Sequence, residues 1–387
     1  MIKFAFRPNL KYPLQLIIWS FIRDIERDII GKYFSNINLI YLPLMFLGEF
    51  LFGLTFYLYQ QKYLKNNSNK NKVNFFGIEL IDNKEISLKR RDKKYVEILL
   101  IIFSAFFDAV EFVLSTEILP NFINISPSIE LRLNGLLIIL QAIFYRHVLK
   151  FTVFKHQYFS LIIIAICLLI IVITEFIFQE FNIYLTYAQF ILALLLIFFL
   201  QFSNAIIESI EKYLYEYYLL NPFYVLMLQG IFGLVVYSIY CILENPFDEV
   251  IKFKKHKTTS EFTILIFAFI LYIILSGAKN SFRVVTTKIY SPMTTTFLDY
   301  ILNPFYIIYY FVIDKDFISY GRKNYAYFII NLIISSIITF CGGVYNEFLI
   351  LFCCGLEKDT HSQVTSRSNT ENELYIFNDE LDKESEE

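Results

Sequence analysis

Charge is scarce in this 387-residue chain. Asp, Glu, Lys and Arg make up only 18% of it, while hydrophobic residues make up 56%. A soluble domain carries about a quarter charged residues. The shortage excludes a disordered protein and argues against the two or three soluble domains that the length alone would allow. Charge of one sign is also missing. The net charge is −2 and no basic domain stands apart, which excludes a nucleic-acid partner. Cysteine is sparse too: Cys167, Cys241 and Cys341 lie inside apolar runs, and nothing has metal-ligand spacing. Cys353 and Cys354 stand together where the last run ends, as palmitoylation sites or as unmodified apolar filler. GxSxG and a helical HExxH are absent. Asp108 and Asp299 lack the Gly-x-Gly-Asp setting of a two-aspartate intramembrane protease. His147 and His156 fall at helix ends and read as interfacial. With no catalytic constellation, neither enzymatic activity nor a cofactor or metal is expected.

What the chain has is apolar length. Runs of 20 or more residues recur along most of it, and a bilayer-spanning helix needs about 20. Nine spans are expected, near 38–60, 96–119, 128–148, 157–178, 185–208, 220–243, 262–283, 290–313 and 325–351, with Pro43, Pro222, Pro292 and Pro304 within or at the ends of spans. Residues 10–30 fit three readings: a half-helix, an interfacial helix, or a first span eroded by truncation. They do not look like a signal peptide, since no small-residue cleavage site follows. Aromatics reach 19%, which reads partly as a bias toward Phe, Tyr, Ile, Asn and Lys rather than as a ring-lined site.

Loop charge sets the orientation. Residues 61–95 carry ten Lys/Arg against four acids, and the next loop, 121–128, carries none. The positive-inside rule puts the first of these in the cytosol, and alternation puts the tail there too. The tail from Glu357 holds ten acids and three bases, a solvated, disordered composition suited to cytosolic protein partners. The predicted lumenal loop 244–261 conflicts mildly, with Lys252, Lys254, Lys255 and Lys257 beside four acids.

The chain also repeats itself. Ile25-Glu26-Arg27 returns as Ile210-Glu211-Lys212, and Phe52-Gly53-Leu54-x-x-Tyr57 as Phe232-Gly233-Leu234-x-x-Tyr237. Ser104, Asp108, Glu111 and Ser115 share their spacing with Ser276, Asn280, Arg283 and Thr287. Glu130-x-x-Leu133-Asn134-Gly135 returns as Asp299-x-x-Leu302-Asn303-Pro304. The offsets of 185, 180, 172 and 169 shrink in order, as loop deletions would produce. An offset of five spans reverses orientation, so the repeat is inverted, and inverted repeats with a midplane site mark transporters.

Charge inside a bilayer is costly, so the polar residues in these runs call for a reason. The two four-residue stripes each fall on one helical face. They are expected to line a polar cavity in which Arg283 pairs with Asp108 or Glu111 until a solute replaces that partner; a fixed ion pair locking two helices is the competing reading. Glu130 with Asn134, and Asp299 with Asn303, are i, i+4 pairs. Glu130 also suits a first-turn position. Glu49 sits mid-helix between Gly48 and Gly53, which permit close helix contact. Glu208, Glu211 and Lys212 lie near the cytosolic end of their helix, where snorkelling is cheap. Glu175 reads as interfacial, and Lys279 as a cation shielded by a carboxylate.

These residues resemble the solute carrier 35 family, F branch. The likeness rests on Met45-Phe46-Leu47-Gly48-Glu49-Phe50, Phe107-Asp108, Glu211-Lys212 before Asn221-Pro222, Gly230-Ile231-Phe232-Gly233, Asn280, Thr287-Lys288-x-x-Ser291, Thr294, Leu298-Asp299 and Tyr345-Asn346-Glu347. The resemblance spans roughly 40–350. It implies the drug/metabolite transporter superfamily fold, ten helices in two inverted five-helix halves, and a nucleotide-sugar-transporter-like carrier of an endomembrane (lysosome, vacuole or Golgi). The sequence departs from the family where Asn134 and Leu302 replace arginines and Gln229 replaces a glutamate. Two lost cations speak against an anionic substrate.

The resulting expectation is an all-α polytopic membrane protein with nine to ten transmembrane helices. Its parts are a segment with a degraded first helix (1–36), the rest of the first repeat (37–183) with the basic loop 61–95, a second repeat (184–354) and the acidic tail (355–387). The expected function is a multi-pass carrier whose partners are the lipid bilayer and a small-molecule solute. Asp108, Glu111, Asn134, Asn280, Arg283, Asp299 and Asn303 are expected to line its cavity. Glu49, Lys279 and Glu208 are assigned to coupling or helix packing. The alternative is a non-transporting membrane scaffold of the same fold.

Overall fold

The computed structural model describes residues 2–4, 11–33, 40–66, 73–75, 78–80, 94–115, 118–119, 133–148, 152–179, 187–243, 259–313, 322–352, 356 and 360. Glu130, the 121–128 loop, the 244–258 loop, Cys353, Cys354 and the tail beyond Thr360 lie outside the described residues.

Lipid gives the backbone no hydrogen-bond partner, so apolar runs of this length fold as helices. In chain order they are α1 (Lys11–Tyr33), α2 (Tyr41–Asn66), α3 (Lys94–Val113), α4 (Gly135–His147), α5 (Lys155–Gln179), α6 (Tyr187–Glu216), α7 (Pro222–Leu243), α8 (Thr259–Ile289), α9 (Pro292–Tyr300), α10 (Asn303–Ile313) and α11 (Arg322–Tyr345). Among the described residues, six helices are long and apolar enough to cross a membrane: α2, α5, α6, α7, α8 and α11. The chain is an all-α polytopic membrane protein.

Side-chain placement is the inverse of a soluble protein's. Ile162, Ile166, Leu169 and Ile173 are exposed along α5, Leu99, Ile102 and Phe106 along α3, and Phe267, Ile270 and Ile274 along α8. Glu49, Glu211, Lys212 and Asn280 are buried. Water would reward the opposite sorting; a hydrocarbon surround rewards this one, so the outward rows contact lipid.

The 10–30 segment is a regular helix of 23 residues, about 35 Å long at 1.5 Å per residue and packed along α8. The predicted 290–313 span is two helices. Ser291 caps α9 by accepting from the Thr294 N–H at 3.2 Å, with Pro292 in the first turn. The break at Ile301–Leu302 follows from Pro304, which has no N–H for the carbonyl four residues back. The last span ends at Tyr345 rather than 351; Leu349–Leu351 form a strand, β4, antiparallel to β1 (Ile2–Phe4). The basic loop contains a second strand pair, β2 (Val73–Phe75) with β3 (Ile78–Leu80).

Helices α2 and α7 pack along each other. Helix α8 packs on α1 and α2, α3 on α6 and α7, and α5 on α11. Helix α4 contacts α5, α6 and α9; α1 also meets α9, and α10 meets α11. One apolar core joins Ile138, Ile164, Ile197 and Ile338. Another joins Tyr41, Phe46, Phe112, Tyr237 and Tyr272, with the Tyr41 and Tyr272 rings edge to face at 4.6 Å.

Candidate functional site: a charged interior

Arg283, midway along the expected stripe on α8, donates to both carboxylate oxygens of Glu211 on α6, each at 2.8 Å. Glu211 is 0% exposed. Its Oε1 also accepts from Gln229 Nε2 at 2.9 Å, and the same amide nitrogen lies 2.8 Å from Ser104 Oγ. The expected partner of Arg283 was Asp108 or Glu111; the pair instead forms with a residue assigned to snorkelling. A fork-shaped guanidinium meets a carboxylate best in this two-bond geometry.

The other expected cavity residues have the following partners. Asn280 donates to Glu49 Oε1 at 2.6 Å. Asp108 is partly exposed and within electrostatic reach of Glu111, Arg283, Glu211 and Lys279. Glu111 accepts from Asn204 at 3.4 Å. Asn134 accepts from Gln201 at 2.7 Å. Asp299 and Asn303 stand on opposite sides of the α9–α10 break and so are not one helical pair. Asn303 is buried, while Asp299 accepts from Ser20 at 2.9 Å and lies 3.8 Å from Lys279. Lys279 thus has a carboxylate partner. Glu208 is drawn inward rather than snorkelling, accepting from Gln141, Thr295 and Thr296.

Sequence reasoning missed α1's contribution. Arg23 pairs with Asp24 at 2.6 Å, Tyr306 donates to Asp24 at 2.8 Å, and Tyr309 donates to Asp28 at 3.0 Å. The Arg23-Asp24 pair is part-buried against the neighbouring helices. The signal available was the Ile25-Glu26-Arg27 echo of Ile210-Glu211-Lys212. His156, at the start of α5, is 3% exposed and lies 3.4 Å from Glu347. One other assignment also changes. Lys212 is buried and donates to the carbonyls of Thr287, Lys288 and Tyr290 at 3.2–3.3 Å, while Lys288 donates to the carbonyl of Tyr215 at 2.6 Å. The ends of α6 and α8 cap each other through these two lysines.

No family model matches this chain, and no curated protein matches it.

The chemistry of the interior is therefore read from its own groups. Among the described residues, the acids Asp24, Glu26, Glu49, Asp108, Glu111, Glu208, Glu211 and Asp299 outnumber the bases Arg23, Arg27, Lys279 and Arg283. Asp299 keeps 40% side-chain exposure although Ser20 and Lys279 flank it from two helices. An acid-rich interior of this kind attracts positive charge and repels anions.

Proposed function

We propose that the chain is a solute carrier that works by alternating access between two inverted five-helix halves, of the kind its resemblance to the solute carrier 35 family implies, with the site near Asp299, Asp108 and Arg283. The supporting observation is the charged interior to which helices of both proposed halves contribute, since charge at membrane depth is ordinarily kept for a transport path.

Helix packing supports the repeat. Exchange α1 with α6, α2 with α7, α3 with α8, α4 with α9–α10, and α5 with α11. The α1–α8 packing becomes α6–α3, α2–α8 becomes α7–α3, α4–α6 becomes α9–α1, and α4–α5 becomes α10–α11. The α2–α7, α5–α11 and α4–α9 contacts map onto themselves. A two-fold axis through those three contacts has this consequence.

Strand pairing supports ten crossings. β1 precedes α1, β4 follows α11, and the two are hydrogen-bonded, so both lie at one end of the bundle. An even number of crossings must separate them. With α9 and α10 counted as one broken span, α1 supplies the tenth. Tags placed before β1 and after β4 are expected to be accessible from the same side of sealed vesicles. Accessibility from opposite sides would remove α1 as a crossing.

The acid excess favours a neutral or cationic solute over a nucleotide sugar. The scaffold alternative rests on an eroded first helix and on the arginines that Asn134 and Leu302 replace; the first ground weakens, because α1 is a 23-residue helix whose Ser20 and Asp24 meet Asp299 and Tyr306. The test is a solute screen on reconstituted proteoliposomes with Asp299→Asn as the control. Asn still accepts from Ser20 but loses its charge, so the flux of the solute found should fall at least about tenfold, the equivalent of 1.4 kcal/mol of differential binding, with folding unchanged. Equal flux in both proteins would detach Asp299 from the path.

A further inference from the structure

Glu49 stands in the first half of α2 (Tyr41–Asn66) and is 1% exposed. Its Oε1 accepts from Asn280, while its Oε2 is buried with no hydrogen-bond partner among the described residues. The charged groups facing it are Asp108 from α3, Glu211 from α6 and Arg283 from α8; α7, packed along α2, carries no Asp, Glu, Lys, Arg or His. Of these only Arg283 is positive, and it is engaged by both oxygens of Glu211. An ionised Glu49 would be a buried charge beside two other acids with no counter-ion of its own, which desolvation and like-charge repulsion both oppose.

The space around it decides what can supply the missing positive charge. At the adjacent Gly48 a Cβ would lie 2.6 Å from the Ile273 carbonyl oxygen, so α2 and α8 touch backbone to backbone there. With Oε2 itself buried and the two backbones in contact one residue away, the positive charge that meets it is taken to be a proton.

We infer that Glu49 is a proton site: its carboxyl is protonated while Arg283 pairs with Glu211, and it releases the proton when Arg283 turns from Glu211 to Glu49. The step breaks the two hydrogen bonds from Arg283 to Glu211 and remakes them at Glu49, while one proton passes from the Glu49 carboxyl, by way of water on the partly exposed Asp108 side, to the Glu211 carboxylate that Arg283 leaves. Its use in coupling solute movement to a proton gradient rests on the carrier reading; the site itself does not.

The test is infrared difference spectroscopy of the full chain in lipid nanodiscs at neutral pH. Wild type is expected to show a protonated-carboxyl component that Glu49→Gln lacks and that Asn280→Ala shifts, because Asn280 donates to that carboxyl. A band unchanged by both substitutions overturns the proposal, and the second variant decides the matter if the first does not fold. Solute flux is followed on proteoliposomes of the same proteins. A Glu49 component without any solute flux removes the carrier reading and leaves the proton site standing. Flux without a Glu49 component overturns the proton site alone. With both present, stimulation of flux by an imposed pH difference is expected in wild type and lost in Glu49→Gln.

Discussion

Replacing Arg283 with Met should destabilise the folded chain by about 3–5 kcal/mol, the cost of leaving a fully buried carboxylate without its partner. The carboxylate in question is Glu211, 0% exposed. After the substitution only the Gln229 amide at 2.9 Å would remain of its three hydrogen bonds. The substitution is close in length, so packing loss alone would be modest. Glu211→Leu in the wild-type background strands the cation instead and should cost a similar amount. The double variant Arg283→Met, Glu211→Leu removes both charges and should recover most of the loss, because a well-packed apolar pair often matches a buried ion pair in stability. Unfolding in mixed micelles for the four proteins gives the interaction energy. Additive losses would mean that the two residues do not form the pair. Recovery of stability without recovery of flux would separate what the pair does for the fold from what it does for function.

The fold class was legible because bilayer physics writes it into composition: long apolar runs, charge concentrated in loops and the tail, and punctuation at Pro292 and Pro304. Glu49 and Arg283 were legible as interior charges for the same reason, since a charge within an apolar run stands out against its neighbours. The partner of Arg283 was not. Glu211 lies toward the end of a run, where one sequence position can mean an interfacial side chain or, as here, one turned inward between α6, α7 and α8. Hydropathy measures depth along a helix and says nothing of which neighbour faces it. Helix α1 escaped for a related reason. Its charges Arg23, Asp24 and Arg27 lower its mean hydropathy, yet each has a partner: Arg23 pairs with Asp24, Asp24 accepts from Tyr306 on α10, and Arg27 lies over the Phe112 ring on α3, while Ser20 reaches Asp299 on α9. A charged stripe on a helix is a break in a span only when nothing faces it. The end of the last span was missed because Leu349–Leu351 is as apolar as the helix before it, and only its pairing with β1 makes it a strand.

Gly230→Leu should be the most damaging single change in the apolar framework, costing about 3 kcal/mol or more by overpacking. A Cβ at Gly230 would lie 2.5 Å from the Phe50 backbone nitrogen and 2.7 Å from the Phe46 carbonyl oxygen. Backbone atoms cannot rotate out of the way, so α7 must move off α2. The same interface has a second lock, since a Cβ at Gly53 would lie 2.6 Å from the Met227 nitrogen. Gly135→Ala is the control. There the nearest atoms are the side-chain ends of Leu168 at 3.3 Å and Ile338 at 3.4 Å, which can shift, and alanine favours the helix; a change under about 1 kcal/mol is expected. Thermal unfolding in detergent separates the two, and equal losses would mean that α2 and α7 are not in backbone contact. The contact also bears on movement. Glycine-locked backbones slide little, and the α2–α7 packing is one of the contacts that map onto themselves when the halves exchange. Rocking of the proposed halves would then turn about this seam, and the large displacements would fall to α1, α6 and α9, the helices that carry Asp24, Glu211 and Asp299. Glu49, on α2 at the seam, would stay nearly still while Arg283's choice of carboxylate changes around it.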